Sequence, residues 1–158
     1  MKRILFLLIF TLFLFGCSNE YRDWKNVKLK EIGNFEVPKS WTCNKDRNII
    51  YFTSEEDSLK PKSESQIIGT ITNGGKGIES ISKFCGRQIK IIKLKKSQVF
   101  SNNAIAANVC IELDGHLCEV NTLWLNSTKK SAYFIAFDDK IKYELILKMA
   151  ESFSFDKR

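Results

Sequence analysis

Histidine and proline are scarce in this chain and catalytic signature motifs are absent. The scarcity of histidine and the missing motifs argue against catalysis. The 158 residues include one histidine, His116, and two prolines, Pro38 and Pro61. A single histidine without an associated nucleophile is a poor candidate for a general base. The sequence contains no GxSxG, no HExxH and no phosphate-binding glycine loop. We therefore predict that the protein is not an enzyme and needs no cofactor or metal.

The chain also lacks an apolar run long enough to cross a membrane as a helix. Residues 4–15 are apolar apart from Thr11, but this run of about a dozen residues is shorter than the roughly 20 that a spanning helix needs. Met1, Lys2 and Arg3 place positive charge before it. This pattern predicts a secretion signal at residues 1–16.

The signal ends in Leu14-Phe15-Gly16-Cys17, which resembles the bacterial lipobox, although Phe15 is larger than the residue usual at that position. The resemblance implies diacylglycerol transfer to the Cys17 thiol, cleavage before Cys17, and acylation of the new amine by a fatty acid such as palmitate. Two or three acyl chains hold a protein stably on a membrane. Ser18, where an Asp would imply inner-membrane retention, implies the periplasmic side of an outer membrane. We expect a lipidated tether at residues 17–26 and one globular domain at residues 27–158.

The other four cysteines, Cys43, Cys85, Cys110 and Cys118, form an even set. In an oxidising compartment such a set predicts two disulfides, for which three connectivities exist. Their spacing does not fit a zinc site. We favour the pairs Cys110–Cys118 and Cys43–Cys85.

Asp114-Gly115 lies between two β-rich runs and predicts a hairpin. A two-residue loop would pair Cys110 with Glu119 and place Cys110 and Cys118 on opposite faces. A three-residue loop at residues 113–115 would pair the two cysteines directly, at a separation close to that of a disulfide. The disulfide expectation therefore favours the longer loop.

The remaining pattern indicates a layered α+β domain. Residues 131–137 are apolar on both faces, which predicts a central strand. Further strands are expected at residues 34–37, 48–53 and 66–72, and the successive Ile91 and Ile92 predict a bulge. Helical spacing predicts one helix over residues 78–85 and a second, capped by Asp139, along Ile141, Leu145, Met149 and Phe153. The predicted fold is α+β, a mostly antiparallel β-sheet covered by helices on its faces.

The stretch "IGNFEVPKSW" near the start of this domain and "YELILKMAESFSFD" at its end resemble the PsbP-like class of α/β/α sandwich domains. The class includes small exported bacterial lipoproteins and has no shared active site. The resemblance therefore implies a fold and an exported location, and it transfers no functional residue.

The charge pattern points to an anionic partner. Loss of Lys2 and Arg3 with the signal lowers the formal net charge from +7 to +5. Arg87, Lys90, Lys93, Lys95 and Lys96 cluster in "RQIKIIKLKK", which fits a solvated strand face or a contact with an acidic protein or a membrane. The cluster lacks interleaved aromatic residues, so we expect no nucleic acid partner. Two functions remain: a lipid-anchored protein that binds another protein, by analogy an immunity protein against a secreted effector, and an assembly component of the envelope.

Overall fold

The computed structural model describes residues 23–54, 67–73, 83–85, 87–128 and 130–155. Eleven strands and one helix, α1, are assigned in these residues. Their bounds are β1 Trp24–Leu29, β2 Gly33–Pro38, β3 Trp41–Asp46, β4 Ile49–Ser54, β5 Ile67–Asn73, β6 Lys83–Phe84, β7 Arg87–Val99, β8 Ala104–Leu113, β9 His116–Asn126, β10 Lys130–Ala136, α1 Tyr143–Glu151 and β11 Ser154–Phe155. The predicted signal of residues 1–16, Cys17 and Ser18 lie outside the described residues.

An eight-stranded antiparallel sheet forms the main layer, in the order β3-β4-β5-β10-β9-β8-β7-β6. Strand β10 pairs with β5 on one side and with β9 on the other, and all its residues from Ser131 to Ala136 are buried. This confirms the prediction of a central strand. A strand that is apolar on both faces has to be covered on both faces.

One face of the main sheet is covered by α1 together with a three-stranded sheet of order β1-β2-β11. The ring of Phe35 in β2 lies 6.0 Å from that of Phe52 and 5.7 Å from that of Phe134, both in the main sheet. The predicted helical stripe of Ile141, Leu145, Met149 and Phe153 is buried in the same cluster. We call this side of the main sheet the helix face.

The opposite face carries a second apolar cluster, centred on Tyr133 and Trp124, whose rings lie 5.2 Å apart. Phe84 of β6 packs edge-on against Tyr133 at 6.0 Å. Burial raises the pKa of the Tyr133 phenol well above its ordinary value. We call this side the tyrosine face.

The predicted fold class is wrong about what covers the sheet. The sheet is mostly antiparallel, but α1 is the one helix in the described part of the chain, and the three-stranded sheet shares the covering of the helix face with it. Of the helix expected at residues 78–85, residues 78–82 lie outside the described residues. Lys83 and Phe84 instead pair with Gln88 and Arg87, and Cys85 has a φ of 51°, which is not helical.

The hairpin loop has two residues, so the favoured three-residue loop is wrong. Leu113 pairs with His116, and Asp114 and Gly115 have φ values of 50° and 82°. A type I′ turn needs positive φ at both central positions and matches the twist of the flanking strands. Asp-Gly supplies both positions, and in this register Cys110 lies opposite Glu119 rather than Cys118.

Two element ends also differ from expectation. Strand β1 begins at Trp24, inside the tether expected at residues 17–26. Its pairing with β2 starts there, because Trp24 is the partner of Pro38. The N-cap of α1 is Lys142, which makes no side-chain cap, rather than Asp139. Asp138 accepts a hydrogen bond from the Lys140 amide at 2.8 Å, and this turn precedes the helix.

Candidate functional site

Strand β7 carries four lysines, and two bulges determine which way they point. Simple alternation would place Lys90 and Lys96 on one face and Lys93 and Lys95 on the other. The register with β8 instead shifts between Ile91 and Lys93 and again between Leu94 and Lys96. Each bulge adds one unpaired residue and reverses the alternation that follows.

The result is that three lysines share the helix face. Lys90 pairs with Glu112, Lys93 with Cys110 and Lys96 with Asn108, and these three β8 residues alternate with residues of the opposite side. Lys95 is the unpaired residue of the second bulge. It forms an ion pair with Glu119 of β9, and Glu119 pairs with Cys110 of β8. We call the four exposed residues Lys90, Lys93, Lys95 and Lys96 the basic face.

The contacts of the four lysines differ. The Lys96 ammonium lies 3.8 Å from the ring centroid of Tyr143 in α1, a cation–π contact. Lys95 donates to Glu119, and this hydrogen bond lowers the pKa of the Glu119 carboxyl below its ordinary value. Among the described residues, Lys90 and Lys93 have no ion-pair partner. Two lysines are thus held by the protein, and two are available to an anionic group.

A network of hydrogen bonds connects the strands beside the basic face to the start of α1. The Asn108 amide donates to Asn121 Oδ1 at 2.9 Å, and the Asn121 amide donates to the Ile141 carbonyl at 2.8 Å. Tyr143 donates its hydroxyl to the Ala106 carbonyl at 3.1 Å. These contacts fix the helix beside the lysines.

A depression of about 270 Å³ lies at the hairpin end of the basic face. It is lined by Lys90 and Glu112 and by the turn residues Asp114 and Gly115. Arg87 forms an ion pair with Asp114 beside it. The depression is therefore bordered by charges of both signs, with Ile89 as an apolar part of its lining.

The structure does not bring the favoured cysteine pairs together. All four described cysteines are free thiols. Cys110 pairs with Glu119 and Cys118 with Ile111, so the two thiols point to opposite faces. Cys43 packs against the cluster on the helix face and Cys85 against the cluster on the tyrosine face, in or beside strands at opposite edges of the main sheet.

Burial determines the acidity of two of these thiols. Desolvation raises the pKa of Cys85 to about 11, and the nearby Arg87 charge opposes this only in part. The pKa of Cys43 is also raised by burial. Neither thiol has the lowered pKa of a nucleophilic cysteine.

The remaining sequence candidate, His116, is an exposed residue at the start of β9. The described residues contain no group of three His, Cys, Asp or Glu side chains arranged to hold a metal ion. No helix in the described ranges is long and apolar enough to span a membrane.

The described residues form an antiparallel β-sheet domain with one helix. The chain is similar to cyanobacterial PsbP (CyanoP) from Synechocystis sp. PCC 6803, whose solution structure matches with a TM-score of 0.51 over 89% of this chain and 96% of that chain. The two sequences are 10% identical, and a likeness at this level shows the fold alone. No protein-family model and no curated protein matches the chain.

Proposed function

We propose that this protein is a lipid-anchored envelope protein that acts without catalysis, by binding an acidic surface of another protein through the basic face. The observation that carries the binding role is the two bulges of β7, which gather lysines on one exposed face. Clustered charge of one sign steers and orients an oppositely charged partner.

The location rests on the N-terminal sequence. Leu14-Phe15-Gly16-Cys17 supports lipidation of Cys17, and Ser18 supports transfer to the outer membrane. Metabolic labelling with an alkyne fatty acid tests this, because Cys17→Ser removes the acceptor thiol. We expect label and detergent-phase partition for the wild type and neither for the variant. Equal labelling of both would contradict the anchor.

Affinity capture from envelope extracts tests the binding role. The charge-reversed pair Lys90→Glu/Lys93→Glu should lose the captured partner, and the matched pair Lys28→Glu/Lys39→Glu, which changes the net charge equally on β1 and beyond β2, should retain it. Equal loss from both pairs would show a non-specific charge effect. Binding of both wild type and control to phosphatidylglycerol vesicles, with no protein captured, would replace the protein partner by a membrane surface.

An immunity protein against a secreted effector is one member of this class, by analogy with other small exported lipoproteins. Capture of a stoichiometric secreted effector would support it. Capture of resident envelope proteins would instead favour the alternative role, an assembly component of an envelope complex.

A further inference from the structure

Among the described strands, β7 has an unpaired hydrogen-bonding edge along most of its length. β6 pairs with β7 only at Arg87 and Gln88, and no other described strand pairs with that side of β7. Every side chain from Ile92 to Val99 is exposed. An edge strand of this length presents unpaired N–H and C=O groups to a further strand.

The two faces of this edge differ in chemistry. The helix side carries the basic face, and the other side carries Leu94 and Val99, which are 47% and 72% exposed. An added strand projects alternate side chains to the two faces. A segment that suits both faces therefore has acidic residues at alternate positions and apolar residues between them.

The same charges disfavour a second copy of this chain at the edge. In a continuous antiparallel sheet, two copies of β7 would place their lysines on the same side, next to each other. Like charges across a strand pair are destabilising, and edge lysines are a common device against self-pairing. An acidic segment removes this penalty and gains ion pairs with Lys90 and Lys93.

We propose that the edge of β7 at residues 89–99 accepts an extended segment of a partner protein as an added strand, with Asp or Glu facing the basic face and apolar residues facing Leu94 and Val99. This inference rests on the proposed binding function and specifies how the partner is held. Main-chain hydrogen bonds supply affinity in such complexes, and alternate side chains supply specificity.

Hydrogen–deuterium exchange tests the added strand directly. The probe is a seven-residue peptide of alternating Glu and Val, capped at both ends and added to the full chain in zwitterionic detergent. We expect exchange to slow at least tenfold at outward-facing amides of residues 89–99, with no change at β3, the opposite edge of the main sheet. Binding of the peptide without protection in β7, or protection at β3 instead, would overturn the proposal.

Two controls separate strand addition from simple charge attraction. A peptide of the same composition with Glu and Val in separate blocks should bind at least tenfold more weakly, because it cannot match both faces. The Lys90→Glu/Lys93→Glu pair should prefer a Lys-Val peptide, whereas Lys28→Glu/Lys39→Glu should keep the wild-type preference. Equal affinity for the alternating and block peptides would refute the added strand.

The two proposals fail in different ways. If partner capture depends on Lys90 and Lys93 but the β7 amides stay unprotected, the binding function stands and the added strand is refuted. If the peptide protects the β7 amides but the Lys90→Glu/Lys93→Glu variant captures the partner as well as wild type does, the edge accepts strands and the proposed function is refuted.

Discussion

The contact between Gly69 and Phe134 shows how one residue ties two strands of the main sheet together. These residues are direct partners across β5 and β10. A Cβ added at Gly69 would overlap ring carbon Cδ1 of Phe134, which is buried in the cluster on the helix face. Glycine is therefore required here by close packing of an aromatic ring.

Gly69→Ala should destabilise the protein by about 1–3 kcal/mol, since overpacking a dense core forces side chains from their rotamers. Urea unfolding measures this as a lower midpoint at an unchanged slope. In a Phe134→Leu background the same substitution should cost clearly less, because the ring is gone. An equal cost in both backgrounds would show that the ring is not the obstacle.

Glu119 limits the charge of the basic face. It accepts a hydrogen bond from Lys95, which lowers the pKa of its carboxyl below the ordinary value, and its negative charge neutralises Lys95. Glu119→Gln should tighten binding of the alternating Glu-Val peptide about two- to five-fold at low salt, the size of an exposed charge effect, and the gain should shrink as salt is added. Glu151→Gln, at the exposed end of α1, should leave affinity unchanged; a matching gain there would indicate net charge rather than the released Lys95.

At the scale of elements, Asn102 joins the end of α1 to the start of β8. Its amide donates to the carbonyls of Ala150 at 2.9 Å and Phe153 at 2.8 Å, and its Oδ1 accepts from the Ala104 amide at 3.2 Å. The last carbonyls of a helix have no partner within the helix. One side chain thus satisfies helix carbonyls and fixes the loop before β8.

Asn102→Asp should lower the free energy of unfolding by about 1–3 kcal/mol, because the acceptor to Ala104 is kept while the donors to partly buried carbonyls are lost. The change also places negative charge at a helix C-terminus, which the helix dipole disfavours. Thermal and urea unfolding of this variant beside Ser101→Ala, an exposed neighbour, measure the effect. Equal stability of Asn102→Asp and wild type would show that the carbonyls are satisfied by water.

The bulges of β7 show what the sequence could and could not predict. The doublet Ile91-Ile92 broke the alternation, and the predicted bulge there is confirmed. Lys95-Lys96 breaks the alternation in the same way and marks the second bulge. If the bulged residues Ile92 and Lys95 are set aside, apolar residues and lysines alternate strictly from Ile89 to Lys96. This pattern is the signal that could have located the basic face.

The errors arose where a local pattern had two solutions. Cysteine pairing favoured a three-residue hairpin loop, whereas positive φ at Asp114 and Gly115 gives the shorter loop. The apolar spacing before Cys85 fits a helix, yet Lys83 and Phe84 are held by pairing with β7, a long-range contact that spacing does not encode. By contrast, β10 and the stripe of α1 were predictable because burial on defined faces imposes a clear period.

At the scale of the whole molecule, the four described thiols are distributed over two faces and both edges of the main sheet. Unreduced protein, unfolded in the presence of iodoacetamide, should therefore take up an alkyl group at each of Cys43, Cys85, Cys110 and Cys118. A disulfide would appear as the joint loss of two alkyl groups, and peptide mapping would identify its members. That result would contradict the thiol arrangement.

In the native state the thiol of Cys85 should react slowly. Its pKa of about 11 exceeds the ordinary value, so the thiolate is scarce below that pH and its share rises about tenfold per pH unit toward it. Alkylation of folded protein between pH 7 and pH 10, followed at the Cys85 peptide, should accelerate steadily without levelling off. A rate that levels off by pH 10 would show an ordinary, solvated thiol.

The two bulges of β7 also limit how far this sheet can grow. They divide the open edge into short regular pieces, residues 89–91, 93–94 and 96–99, and each bulge bends and twists the strand. Stacked fibrils need flat strands that repeat without a break. A kinked, lysine-bearing edge can accept one short strand, yet it is a poor template for the open-ended polymerisation that unprotected sheet edges invite.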